Sequence, residues 1–257
     1  MSTIHVTRDG AIATVTLSNP GKLNAIDVAM WRSLAARFIE LSADVDLRCV
    51  MICGEDGQFA AGADIAEFSR VRDTVEQGIR YHTDVIGEAL AAIEGCRHPT
   101  IAAIEGVCVG GGLEIACACD LRIAAPDAQF GIPINRLGFA LAPGELSGLL
   151  QLVGKAVALE LLLEGRVFDA QEAMQKGLLT RIVDDVRAAS RASAERIASG
   201  APLAARMNKR LIQRLSASAA ALEPDELHAA FGPLASDDYR EGVAAFLAKR
   251  RPDFKGK

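Results

Sequence analysis

The stretch from Thr100 to Ala124 limits the choice of fold most. An apolar strand pattern, Thr100–Ile104, follows Pro99. The loop 106–112 ends in Gly110-Gly111-Gly112, a helical pattern starts at about Leu113, and a second strand pattern, Leu121–Ala124, closes the unit. The preceding chain alternates in the same way. Strands are expected at 4–7 and 11–17 around a turn at Asp9-Gly10. A helix is expected at 26–41, with Ile26, Met30, Leu34, Phe38 and Leu41 on one face. A buried strand at 47–53 and a long helix at 74–93 come next. Strands alternating with helices predict an α/β fold with a parallel sheet.

After about Gly144 strand signals become rare, 180–183 being the clearest. Ala-rich segments at 188–199, 203–216, Pro224–Phe231 and 239–249 predict helices. The change near Gly200-Ala201-Pro202 divides the chain into a core over 1–200 and a helical module over 201–257. A length of 257 residues suffices for one large domain, or a core with a small appendage.

Lys plus Arg is 28 and Asp plus Glu is 33, a net charge of −5. An acidic chain of this kind argues against bulk nucleic-acid binding, and an anionic ligand needs a local cluster of positive charge. The start, MSTIHVTRDG, reads as no signal peptide. Apolar runs such as 156–163 are too short to span a membrane. The six cysteines fit no zinc spacing and sit mostly in apolar stretches, as expected for reduced thiols in a cytoplasmic protein.

Two segments can carry chemistry. Phe59-Ala60-Ala61-Gly62-Ala63-Asp64-Ile65 has small residues that let backbone N–H groups approach a ligand. The triple glycine exposes N–H groups at the positive end of a helix dipole. One N–H from each segment could converge on a carbonyl oxygen as an oxyanion hole. Dinucleotide, phosphate-loop, nucleophile-elbow and H-E-x-x-H motifs are absent from the sequence.

These segments resemble the enoyl-CoA hydratase/isomerase (crotonase-like) family. Ala60 to Ile65 is similar to its AGAD-type oxyanion segment. Gly110 to Glu114, with Cys119-Asp120-Leu121-Arg122-Ile123-Ala124, is similar to its GGG-x-E…CD-x-R-x-A segment. Asn19-Pro20-Gly21-Lys22-Leu23-Asn24-Ala25 resembles its coenzyme-A loop. Gln129-Phe130-Gly131 and Arg136-Leu137-Gly138 resemble the next active-site loop, and 238–250 resembles the last helix. The resemblance runs essentially from end to end.

The resemblance implies a spiral of ββα units with a C-terminal helical trimerisation module, hence a homotrimer or a hexamer of two trimers. It implies an acyl-CoA thioester substrate, with coenzyme A arriving as part of that substrate and no permanently bound cofactor or metal. Ala63 and Gly111 become the oxyanion-hole donors, and Glu114 matches one of two catalytic glutamates. Coenzyme-A contacts are implied at Lys22, Leu23, Ala25, Ala61, Asp64 and Ile65. Phe246 and Lys249 of a neighbouring subunit complete them, with Lys22 and Lys249 as counter-charges to phosphate.

The chain departs from the family where a hydratase holds its second glutamate, because Ile134 stands there. The aspartate of some isomerases is replaced by Ala142, and the tyrosine of decarboxylases by Leu141. Glu145 lies nearby and is the candidate for the missing acid, although a first-turn helix glutamate is the plainer reading. Ile134 makes a poor hydratase of short straight-chain 2-enoyl-CoA the expectation, unless Glu145 supplies the acid. Double-bond isomerisation, decarboxylation on a single carboxylate and a non-catalytic RNA-binding role are the alternatives. The basic stretch 206–214 is the one feature pointing to RNA, and it reads better as the polar face of an amphipathic helix.

Overall fold

The computed structural model describes residues 1–217, 220 and 223–257. The chain begins with the hairpin β1 (Thr3–Asp9) and β2 (Ile12–Ser18), turning at Gly10. Helix α1 (Val28–Ala43) and strand β3 (Cys49–Gly54) follow. Short helix α2 (Phe68–Val71) precedes α3 (Val75–Tyr81) and α4 (Glu88–Glu94), which are joined by a π-helical turn, His82–Gly87. Then come β4 (Thr100–Ile104), β5 (Val107–Val109), α5 (Gly111–Ala118), β6 (Leu121–Ala124), β7 (Gln129–Gly131) and α6 (Pro143–Glu164). The rest comprises β8 (Phe168–Asp169), α7 (Ala170–Gln175), β9 (Arg181–Ile182), α8 (Val186–Ala198), α9 (Pro202–Ala217), α10 (Pro224–Phe231) and α11 (Asp237–Leu247).

Strand pairing reveals a spiral. The large sheet has the order β1-β2-β3-β4-β6-β9, parallel from β2 onward. A smaller sheet pairs β5 with β7 in parallel and β7 with β8 antiparallel, and Ala60 extends it by a parallel bridge to Cys108. Each turn of chain gives one strand to the large sheet, one to the small sheet, then a helix: β4, β5, α5, then β6, β7, α6. This is the ββα repeat that the family resemblance implies.

The large sheet is buried on both faces. Val50 and Ile52 of β3 join the main core with Trp31, Leu34 and Phe38 of α1. Cys49 and Met51, pointing the other way, pack with Ile101, Ile123 and Ala194 of α8. Period-2 alternation thus feeds two apolar layers, which explains the uninterrupted apolar run in β3.

Three expectations need adjustment. The single helix over 74–93 is α3 and α4 around the π turn. The extra residue in that turn lets Tyr81, His82, Val85 and Ile86 all face inward. Helix α5 starts at Gly111, because Gly112 and the glycine before it are already helical. Helix α6 is long and apolar enough to cross a membrane, with mean hydropathy 1.7 over its best window, unlike the short runs expected from sequence. Its helix breaks at Gly154 (φ 70, ψ 174), and Leu149, Ala158 and Leu161 pack into the main core.

The basic stretch on α9 is tied to the core. Arg206 donates to the carbonyls of Val45 and Leu47, Gln213 to that of Glu94, and Lys209 to that of His98. Buried Lys209 also pairs with Asp120 at 2.8 Å. All six cysteines are free thiols, five of them buried.

Candidate active site

The site forms where the two oxyanion segments meet. Residues 59 and 60 run beside β5: Phe59 N–H donates to Glu105 O, Ala60 N–H to Val107 O, and Val109 N–H to Ala60 O. The triple glycine must then pass close to Ala60. A Cβ on Gly112 would lie 2.2 Å from Ala60 O, so no side chain fits there. Gly110 takes φ 53 and ψ −123, a backbone state that strongly favours glycine. The result sets the backbone of Gly111 against that of Ala63: a Cβ on Gly111 would stand 3.5 Å from Ala63 N. Among the described residues, neither the Ala63 nor the Gly111 N–H donates to a protein acceptor.

The loop 19–26 is stitched to the same segment. Ala61 N–H donates to Leu23 O, Ile26 N–H to Gly62 O, and Asp64 N–H to Ile26 O. Ala25 N–H donates to Lys22 O, while Asn24 holds the loop through its side-chain amide, which donates to the carbonyls of Glu55 and Gln58. Leu23 and Asn24 both adopt positive φ, 48 and 55. Lys22 Nζ lies 2.6 Å from Asp64 Oδ2, and this pairing raises the Lys22 pKa and lowers that of Asp64. Asp64 also caps the turn Ile65–Glu67 by accepting from Ala66 N–H. Lys22, Leu23, Ala25, Ala61, Asp64 and Ile65 therefore cluster, but Lys22 already has a carboxylate partner. Phe246, exposed on α11, and Lys249 just beyond it do not line this region of their own chain.

Beside these two N–H groups, of Ala63 and Gly111, lies a cavity of about 240 Å3. Ala61, Ala63, Ile65 and Gly111 line it, together with Glu114, Glu145, Ile134 and Leu137. Glu114 comes from the first turn of α5. Glu145 comes from the first turn of α6, which opens on Pro143. Both side chains are buried. Burial, and after it the charge of Glu145, pushes the Glu114 carboxyl well above its ordinary 4.5. The two carboxyls thus share one cavity.

Sequence reasoning missed several residues of this cavity, two of them with basic side chains. His82, from the π turn, places Nδ1 2.6 Å from Glu145 Oε1, with both side chains almost wholly enclosed. Its signal was available: His82 shares a helical face with Val85, Ile86, Ala89 and Ile93, an odd place for an imidazole. Arg72, which ends α2, lies over the rings of Phe68 and Phe139, with its guanidinium carbon 4.1 and 4.4 Å from their centroids. Nothing in its sequence neighbourhood marks it. Ile134, half-buried, lines the same cavity as Glu145, so the apolar position and its candidate substitute face one space.

Comparison with known proteins matches this arrangement. The model of the enoyl-CoA hydratase/isomerase family fits residues 7–257. A probable enoyl-CoA hydratase of Mycobacterium bovis is 38% identical over 98% of this chain and 97% of its own. One of Rhizobium meliloti is 36% identical over 98% of each. The crystal structure of an enoyl-CoA hydratase/carnithine racemase from Magnetospirillum magneticum superposes with a TM-score of 0.96 at 45% identity, covering 100% of this chain and 97% of that one. The spiral, the facing glycine and alanine segments and a match over nearly the whole length agree: the chain belongs to the enoyl-CoA hydratase/isomerase family.

Proposed function

We propose that the protein hydrates a 2-enoyl-CoA thioester, with Glu114 and Glu145 dividing the proton transfers. The observation that carries this reading is that two buried carboxyls and two unpaired N–H groups line one small cavity. The thioester oxygen accepts from the Ala63 and Gly111 N–H groups. Glu145, oriented by His82, takes a proton from water as the water oxygen bonds to C3. The C2–C3 π pair moves into the thioester as an enolate, and the two donors stabilise that developing charge. Glu114, whose carboxyl burial pushes well above its ordinary range, then delivers its proton to C2, and proton exchange with solvent restores Glu114 as the acid and Glu145 as the base. Glu145 thereby stands in for the acid that Ile134 displaces. A panel of 2-enoyl, 3-enoyl and malonyl-type thioesters, followed for hydration, isomerisation and decarboxylation, tests the assignment. Hydration must dominate.

Coenzyme A, carried in as part of the substrate, runs along Lys22, Leu23 and Ala25 toward the solvent. Phe246 and Lys249 of a neighbouring subunit complete that path in a homotrimer or a pair of trimers. Support comes from the C-terminal helices, where an apolar groove of about 620 Å3 is lined by Phe231, Leu234, Val243, Phe246 and Leu247. Phe246 is 84% exposed in the single chain, an unusual exposure for an aromatic residue.

A further inference from the structure

Arg72 is a charge that the hydration chemistry does not use. It lines the catalytic cavity beside Tyr81, His82 and Ile86, on the side built by α2, α3 and the π turn. Among the described residues it forms no ion pair. Its only polar contact there joins Nη1 to His82 Nε2, at a long 3.4 Å, and the Nε and Nη2 donors meet no protein acceptor. Burial lowers its pKa, and the charges of Tyr81 and Glu145 offset that only in part. The rings of Phe68 and Phe139 hold the guanidinium in place. An arginine fixed against aromatic rings presents in-plane N–H donors that match the two oxygens of a carboxylate. A purely hydrocarbon acyl chain would bury this cation further and give its donors nothing.

We propose that Arg72 is a specificity residue that selects acyl-CoA thioesters whose acyl chain ends in a carboxylate. The proposal rests on the hydratase reading for the location of the acyl chain, but its test does not need turnover. Saturated thioesters cannot be hydrated, so their binding reports recognition alone. Calorimetric affinities are compared for succinyl-, glutaryl- and adipyl-CoA against butyryl-, valeryl- and hexanoyl-CoA, which match them in chain length. For at least one length, the carboxylate-ended ligand binds 10-fold or more tightly to the wild type. Arg72→Met abolishes that preference, and Arg72→Lys keeps part of it. The wild-type comparison stands even if a variant folds poorly.

Equal affinities at every chain length for the wild type overturn the proposal. So does an Arg72→Met variant that weakens both series alike, since Arg72 then acts only by positioning His82. A parallel assay with the corresponding 2-enoyl thioesters separates the two readings. Hydration of the uncharged series without a carboxylate preference removes the specificity claim and leaves the hydratase. A carboxylate preference in binding, with no hydration of any 2-enoyl thioester, removes the hydratase and leaves the recognition.

Discussion

His82 Nδ1 and Glu145 Oε1 share a 2.6 Å hydrogen bond inside the cavity, linking the π turn to the first turn of α6. A carboxylate at the start of a helix is favoured by the helix dipole. The imidazole fixes its orientation and gives it a proton-sharing partner. Glu145→Gln is therefore expected to lower hydration by about 100-fold, the scale of general acid–base catalysis. His82→Phe should lower it by about 10-fold, because the carboxyl survives but loses its orientation. The double variant should be no worse than Glu145→Gln alone, since both changes disable one unit. Steady-state kinetics on folded variants, with circular dichroism as the control, decide it. Strictly multiplicative losses would separate the two residues.

Glu114→Gln tests the other carboxyl. The amide keeps the shape and a hydrogen-bonding end but cannot deliver a proton. Turnover should fall on the order of 100-fold or more, with affinity for a saturated acyl-CoA nearly unchanged. Undiminished hydration by the variant would remove Glu114 from the mechanism.

The same variant should be more stable than the wild type at neutral pH. Burial raises the Glu114 carboxyl above its ordinary 4.5 in the folded state. Below 4.5 the carboxyl is protonated both folded and unfolded, so its contribution is fully present. As pH rises from there to the folded value, the unfolded chain releases this proton while the folded chain keeps it. Stability is lost across that window, by at most about 1.4 kcal/mol per pH unit. Gln carries no such proton. Scanning calorimetry from pH 4 to 8 should therefore show the Tm of Glu114→Gln pulling ahead of the wild type as pH rises. A constant gap would contradict a raised Glu114.

The sequence disclosed what local chemistry sets. Apolar alternation in β3 and the glycines before α5 could be read directly, because period and backbone freedom are properties of neighbouring residues. Ala63, Gly111 and Glu114 followed from motifs. The companions of Glu145 did not, since His82 lies 63 positions away and reaches it only through tertiary packing. The π turn that brings His82 inward has no compositional mark. Arg72 is found only once Phe68 and Phe139 are seen to meet around it. The resemblance makes Lys22 a counter-charge to phosphate, and its pairing with Asp64 depends on the stitching of two loops that the sequence does not reveal.

The exposed apolar residues of α10 and α11 predict assembly. Phe231, Val243, Phe246 and Leu247 all reach solvent in the single chain. A patch of this kind on a stable protein is normally covered. Light scattering at micromolar concentration should give the mass of a trimer or hexamer, and a monomer would refute the assembly. Phe246→Asp should shift the mass downward and weaken acyl-CoA binding together, because the neighbouring subunit then no longer completes the coenzyme-A path.

Ile134 and Glu145 line one cavity from different elements, which permits a rescue experiment. If Glu145 does the work of the displaced glutamate, Ile134→Glu alone gains nothing. It adds a third carboxyl beside two others, and the extra negative charge hinders ionisation of the base. In the Glu145→Gln background the same substitution restores a carboxyl to the cavity without that crowding. Hydration by the double variant should therefore exceed that of Glu145→Gln by about 10-fold, within the range of one acid–base group held in imperfect geometry. The opposite pattern is equally informative. If Ile134→Glu by itself accelerated hydration of crotonyl-CoA, the wild-type site would lack an acid, and Glu145 would be only a buried partner for His82.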